Sequence, residues 1–143
     1  MRGRDAGLLF LVVGAVGACK TPPPKPNLAL KPEALAQRQM ETRRFDTSDE
    51  LKLLRASLTV LQDQGFQLDE MESALGVIAA TGSGPPWYAI SLVSRRLTRD
   101  GSAVVLRVTF QTRYPGGRVK QPAVYQQFFI RLSEVVALDA EAL

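Results

Sequence analysis

The residue of this chain best suited to covalent chemistry is Cys19, its single cysteine. The thiolate form of cysteine is a nucleophile that can take up an alkyl group. The three residues before it, Val16-Gly17-Ala18, are aliphatic or small, so the backbone there can lie extended in a narrow protease groove. These residue types make the Cys19 thiol the candidate site of covalent modification in this chain.

An apolar run before Cys19 has the features of a targeting signal. Residues 6–18, about 13 in number, are all apolar or small and follow the basic residues Arg2 and Arg4. A bilayer core of roughly 30 Å requires about 20 apolar residues, so this run is too short to span it. It fits a secretory signal instead, and we predict a signal peptide over residues 1–18.

The four residues Val16-Gly17-Ala18-Cys19 resemble the bacterial lipobox. In proteins with this motif the cysteine receives a diacylglyceryl group, the signal is cut off just before it, and the amine that this frees is then acylated, for example with palmitate. Several acyl chains hold such a protein on a membrane, since each buried methylene contributes about 0.8 kcal/mol. The resemblance implies a lipid anchor at Cys19. Lys20, in place of aspartate, implies sorting to the outer membrane of the cell envelope, facing the periplasm.

The composition argues against an enzyme. The chain has 143 residues, a formal net charge of +4 and no histidine, which removes the usual general base and the commonest metal ligand. Serines such as Ser94 have no catalytic motif beside them. Four carboxylates lie close together in the sequence, and we interpret them as a solvated hairpin tip: Asp63, Asp69, Glu70 and Glu72. We therefore predict no catalytic residue, no metal and no cofactor.

The rest of the chain divides into a tether and one folded domain. Residues 19–43 begin with the lipidated cysteine and a proline-rich stretch that favours the extended polyproline II conformation. Pro32 is suited to begin a short helix in this segment, but the apolar residues that follow form no stripe. We predict a tether over residues 19–43 and a single α+β domain over residues 44–143.

The first predicted helix of the domain covers residues 48–64. Leucines recur from Leu51 onward at alternating spacings of three and four residues, which indicates one apolar face. Thr47 and Glu50 have the spacing of a capping box at its start. Gly65 is suited to end the helix in the left-handed conformation.

A long β-hairpin follows in residues 87–99 and 102–114, with Asp100-Gly101 at its tip. Apolar and polar residues alternate along the second strand, which is typical of an antiparallel strand with one buried face. We prefer a three-residue loop with a bulge, because it aligns Leu92 with Phe110 and keeps the apolar faces together.

A second amphipathic helix begins at Pro122 and continues toward the C-terminus. The element order β-α-β-β-β-β-α predicts an α+β fold in which an antiparallel sheet of four to five strands carries two helices packed on one face. This architecture is helix-grip-like. The polar half of each alternating strand predicts that the opposite face of the sheet is in contact with water.

Several segments of the domain resemble small, poorly characterised lipoproteins of Gram-negative bacteria. The similar residues are those of 44–50, 61–66, 75–78 and 125–129, and they include the sequences LQDQGF and LGVI. The helix, Gly65 and the two strands after it are also similar in pattern to a BamC-type lipoprotein domain of the outer-membrane β-barrel assembly machine. These resemblances imply an envelope lipoprotein and supply no catalytic residue.

Residues 87–121 contain seven basic side chains and a single acid, Asp100. A basic patch on the wet face of a sheet attracts anions, such as an acidic protein surface or the headgroups of anionic lipids. We expect the partner-binding residues to be Arg95, Arg107, Arg113, Arg118 and Lys120.

The expected function is therefore that of a non-enzymatic module, attached to the membrane by its lipid, that contacts an envelope protein or an anionic lipid through the basic sheet face. An exported protein does not meet nucleic acid, so we exclude that partner. The alternative is a carrier of a small apolar ligand or lipid, with a cavity between helix and sheet. A structure in which Leu58, Val108, Phe110 and Phe129 fill that space would argue against the cavity.

Overall fold

The structure is a computed structural model, and it describes residues 29–97, 99 and 101–141. The predicted signal peptide, Cys19 and Asp100 lie outside the described residues. The described chain forms α1 (Pro32–Glu41), β1 (Thr42–Phe45), α2 (Glu50–Asp63), β2 (Phe66–Glu72), β3 (Val77–Gly82), β4 (Tyr88–Arg96), β5 (Val104–Thr112), β6 (Gly117–Arg118) and α3 (Pro122–Glu141).

The strands of the described chain form one antiparallel sheet in the order β1-β5-β4-β3-β2, with the short β6 beside β5. Along β5, Val104, Leu106 and Val108 are buried and the residues between them are partly exposed. Helices α2 and α3 cover the buried side, where the core lies. The predicted α+β class, an antiparallel sheet with helices packed on one face, is confirmed.

The other side of the sheet, which we call the open face, carries side chains that are exposed or partly exposed, and one of them, Arg107, is contacted by Glu41 at the end of α1. Its side chains are small, β-branched or polar, and most are partly exposed. The open face consists of Thr42, Arg44, Val77, Ala79, Thr81, Ala89, Ser91, Val93, Arg95, Val105, Arg107, Thr109 and Gln111.

Strand β2 forms one edge of the sheet, because it pairs only with β3 within the described chain. A register shift between Leu68 and Glu70 interrupts the ladder. The exposed residues along this edge include Asp69, Glu70 and Glu72. Charged side chains and irregular pairing are common features of unpaired sheet edges.

Helix α2 packs across β2, β3 and β4. Leu54 and Leu61 of its predicted apolar stripe are buried and Leu58 is partly buried, whereas Leu51 is exposed. Its start differs from the prediction. Asp49, rather than Thr47, caps the helix, since an Asp49 side-chain oxygen accepts a hydrogen bond from the Lys52 amide at 2.8 Å. The predicted capping box is wrong because the Glu50 carboxylate is used elsewhere: it accepts hydrogen bonds from Ser94 and Arg96 of β4.

The β4–β5 hairpin has the predicted faces but a different register. Leu92 pairs with Val108, and Ile90 pairs with Phe110, so the predicted alignment of Leu92 with Phe110 is wrong by two residues. A shift of two leaves every side chain on the face where it was expected, because side chains alternate with a period of two. The buried face of the hairpin is therefore unaffected by the error.

The domain begins earlier than the predicted boundary at residue 44. Helix α1, which we assigned to the tether, contacts α3, β1 and β5, and its last residue, Glu41, is fully buried. Strand β1 begins at Thr42. Helix α1 contacts the domain through the polar side chains of Gln37 and Glu41 and through Met40, which packs against the core, so a continuous apolar stripe is not needed to dock it.

Helix α3 begins at Pro122 as predicted, and its aromatic residues complete the core. The ring of Phe110 on β5 makes edge-to-face contacts with Tyr125 and Phe128, at centroid distances of 5.3 and 6.1 Å. Such pairs contribute about 0.5–1.5 kcal/mol beyond the area they bury. The contact fixes α3 against the sheet beside α2.

Candidate functional site

Glu41 is the only charged side chain of the described residues that is fully buried. Arg107 donates hydrogen bonds from Nε and Nη2 to Glu41 Oε2 at 3.0 and 2.7 Å. Arg118 Nε lies 3.6 Å from Glu41 Oε1. Because a buried carboxylate is strongly destabilising without a charged partner, these two arginines are required to hold Glu41 in place.

The same cluster continues toward the core through Gln37 and Tyr125. Gln37 Nε2 lies within hydrogen-bond distance of Glu41 Oε1, Val119 O and Tyr125 Oη, at 3.1, 2.9 and 3.2 Å. Tyr125 donates its hydroxyl hydrogen to Val119 O at 2.7 Å. Burial raises the pKa of Tyr125 above its ordinary value of 10.0, and the negative charge of Glu41 raises it further.

The raised pKa of Tyr125 predicts a loss of stability in alkali. The folded protein holds the phenol proton more tightly than the unfolded chain, so this contribution to the free energy of unfolding is complete below pH 10.0 and is lost as the pH rises through the raised pKa. An absorbance titration of the tyrosines should contain one step above the ordinary range. Tyr125→Phe should remove that step, and its persistence in this variant would assign it to another phenol.

The predicted partner-binding residues divide into two groups with different roles. Arg107 and Arg118 are engaged with Glu41, so much of their charge is balanced inside the protein. The remaining three are exposed, and none forms a salt bridge with another residue of the described chain: Arg95, Arg113 and Lys120. The charge available to a partner is therefore smaller than the sequence count suggests.

The sequence analysis missed Glu41 and Gln37. Neither residue belongs to a recognisable motif, and both lie in a segment that we interpreted as tether. Glu41 meets Arg107 across 66 positions of the chain, and local spacing carries no information on such a pair. The only signal was indirect, namely that a strongly basic region must find its counter-charges somewhere else in the fold.

The other polar residues considered in the sequence do not assemble a reactive centre. Asp69 accepts a hydrogen bond from Thr81 Oγ1 at 2.6 Å on the exposed surface. Ser94 donates its hydroxyl hydrogen to Glu50, which also pairs with Arg96 at 3.1 Å. Among the described residues, no three acidic side chains converge closely enough to hold a metal ion.

A groove of about 990 Å³ opens at one end of the sheet, between the end of α2, the 82–88 loop and α3. Its lining combines the aromatic residues Phe66, Tyr88 and Phe110 of the sheet with residues of α2 and α3. The residues expected to fill the space between helix and sheet are packed, since Val108, Phe110 and Phe129 are buried and Leu58 packs against the same core. The open space that the described part of the chain leaves between α2, α3 and the sheet therefore lies in this groove.

Comparison with known proteins adds no relative: no protein-family model matches the chain, and no curated protein matches it in sequence. Within residues 29–97, 99 and 101–141, no helix is both long enough and apolar enough to cross a membrane.

Proposed function

We propose that this protein is a non-enzymatic lipoprotein of the cell envelope, attached to the outer membrane at Cys19 and exposing its domain to the periplasm. The observation that carries the proposal is the position of the single cysteine, directly after a short apolar run and three small or aliphatic residues. The acyl chains would supply the membrane attachment, because one lipid chain alone binds a bilayer only marginally and two or more hold a protein there stably.

The domain would act as an interaction module that uses the open face to contact an acidic surface of another envelope protein. Arg95 lies on this face, exposed and without a salt bridge to another described residue, and Arg113 extends the positive charge beyond the end of β5. Charges of this kind accelerate the encounter with a partner of opposite sign more than they tighten the complex.

Lipid attachment is tested by mass spectrometry of the protein isolated from its own host. The proposal expects an N-terminus that begins at Cys19 and carries diacylglyceryl and acyl groups. The Cys19→Ser variant is expected to lose both the lipid and the membrane fraction. An unprocessed N-terminus in the soluble fraction would contradict the proposal.

The contact surface is tested by crosslinking in the native envelope, followed by capture at low salt. The double variant Arg95→Glu/Arg113→Glu should associate with the captured partner about tenfold more slowly, because steering by charge is lost. Arg55→Glu on α2 is the matched control, since Arg55 is exposed on the helical side of the domain. Arg107 is not a suitable target, because its replacement would also release Glu41. Equal capture of the double variant and the wild type would exclude this surface.

A second candidate function is the transport of a small apolar ligand, and the groove at the end of the sheet favours it. Leu138 lines this groove, whereas Ile130 is an exposed apolar residue of α3 outside it. Saturable binding of a fluorescent fatty acid that is abolished by Leu138→Arg and unaffected by Ile130→Arg would support a carrier. Absence of saturable binding would exclude it.

A further inference from the structure

Two aromatic side chains are exposed together at one end of the β4–β5 pair. Trp87 precedes β4 and is 45% exposed, and Tyr114 follows β5 and is 88% exposed. The Arg113 amide donates a hydrogen bond to Trp87 O at 3.0 Å, which brings the two strand ends side by side. We call Trp87, Arg113 and Tyr114 the aromatic tip.

The strands beside the aromatic tip contribute positive charge and no acid, whereas Asp63 of α2 and Glu134 of α3 line the groove next to Tyr88. Arg113 is exposed within the tip, and Lys120 is exposed just after β6. No aspartate or glutamate occurs in residues 101–133 or in residues 73–99. The next two pairs inward along the ladder, Tyr88 with Thr112 and Ala89 with Gln111, are uncharged.

We propose that the aromatic tip inserts into the headgroup layer of an anionic lipid membrane and so gives the domain a second contact with the surface to which it is anchored. Tryptophan and tyrosine are enriched at membrane interfaces, because each combines an apolar ring with a polar group. Basic side chains beside them are attracted to anionic headgroups. This inference deepens the proposed function and rests on it, since the membrane must be within reach.

The anchor geometry allows the contact. The chain between Cys19 and Pro32 spans at most about 45 Å when fully extended. The domain therefore remains close to the lipid surface. The broad open face is a more suitable surface for a protein partner than the aromatic tip, because the residues that contribute most to protein binding lie at the centre of a well-packed interface. The aromatic tip is instead a protruding end, and its turn contains Gly116 and Gly117 with positive φ.

The test uses two features of the full chain, its single cysteine and its single tryptophan. Coupling Cys19 to a maleimide lipid in preformed vesicles attaches the protein whether or not its host would acylate it. The fluorescence of Trp87 then reports the position of the aromatic tip directly. Vesicles containing phosphatidylglycerol with brominated acyl chains are compared with phosphatidylcholine vesicles that carry the same bromines.

The expected result is a shift of Trp87 emission to shorter wavelength and quenching by bromine on phosphatidylglycerol vesicles, both reduced by salt. The double variant Arg113→Gln/Lys120→Gln should lower the ratio of inserted to free tip by more than tenfold, since each basic side chain near an anionic surface contributes about fivefold. Arg55→Gln, which removes an exposed arginine from α2, should leave the ratio unchanged.

Two results would overturn the proposal. The first is unshifted and unquenched Trp87 emission in the coupled protein. The second is equal quenching on neutral and anionic vesicles. If mass spectrometry finds no natural lipid at Cys19, the proposed anchoring is contradicted. The Trp87 fluorescence measurement remains valid in that case, because the protein is attached chemically. The two proposals can therefore be contradicted separately.

Discussion

Arg107→Ala is expected to lower the free energy of unfolding by about 3–5 kcal/mol, because it removes the main partner of a buried carboxylate. Glu41 has no exposed surface in the fold, and Arg107 supplies both of its short arginine contacts. Arg118, at 3.6 Å from the carboxylate and 47% exposed, compensates only in part. Urea denaturation at neutral pH measures the loss.

Two further variants separate the buried charge from other effects of the substitution. Arg95→Ala removes an exposed arginine from the same face and should change the free energy of unfolding by no more than about 0.5 kcal/mol. Glu41→Gln should cost less than Arg107→Ala, about 1–3 kcal/mol, because the orphaned Arg107 is 34% exposed and can be solvated. Similar losses for Arg107→Ala and Arg95→Ala would contradict the assigned role of Glu41.

Gly76→Ala is expected to destabilise the fold by about 2–5 kcal/mol, through left-handed backbone strain and overpacking. Gly76 has φ of +67° in the turn before β3. A Cβ at this position would overlap Ser94 Oγ and lie 3.0 Å from both Glu50 Oε1 and Ser94 O. It would therefore also displace the Ser94 hydroxyl, which donates a hydrogen bond to Glu50 at the start of α2 and lies 3.3 Å from Gly76 O.

Gly65→Ala is the matched control for the steric part of this effect. Gly65 has a similar φ of +82°, but a Cβ there would meet nothing closer than Ser83 Oγ at 4.0 Å. Its substitution should cost only the backbone strain, about 1–2 kcal/mol. The difference between the two variants in thermal or urea unfolding measures the close packing around Gly76. If Gly76→Ala and Gly65→Ala lower the free energy of unfolding equally, Ser94 moves away from the added methyl group without an energetic cost.

The parts of the fold that the sequence predicted correctly are those determined by periodicity. The apolar stripe of α2 and the alternation along β5 are local patterns, and both survive in the structure. The register of the hairpin was wrong by two residues because alternation fixes only which face a side chain occupies. The capping box was wrong because Glu50 is drawn to Ser94, whose position depends on the tertiary fold.

The sequence predicted which basic residues belong to the candidate site, but not which of them form ion pairs. The sequence identified the basic residues, but it could not show that Arg107 and Arg118 are occupied by Glu41, because that contact joins segments far apart in the chain. Helix α1 escaped prediction for a related reason. Its docking depends on Gln37 and Glu41, and the usual apolar signature of a packed helix is therefore missing.

The acidic edge formed by β2 disfavours one kind of contact between two copies of this protein. Two copies that approached edge to edge would bring Asp69, Glu70 and Glu72 of one against the same carboxylates of the other, and their mutual repulsion opposes pairing of the two backbones. The opposite edge of the sheet, β1, carries Arg43 and Arg44 instead, so this repulsion acts only between two β2 edges.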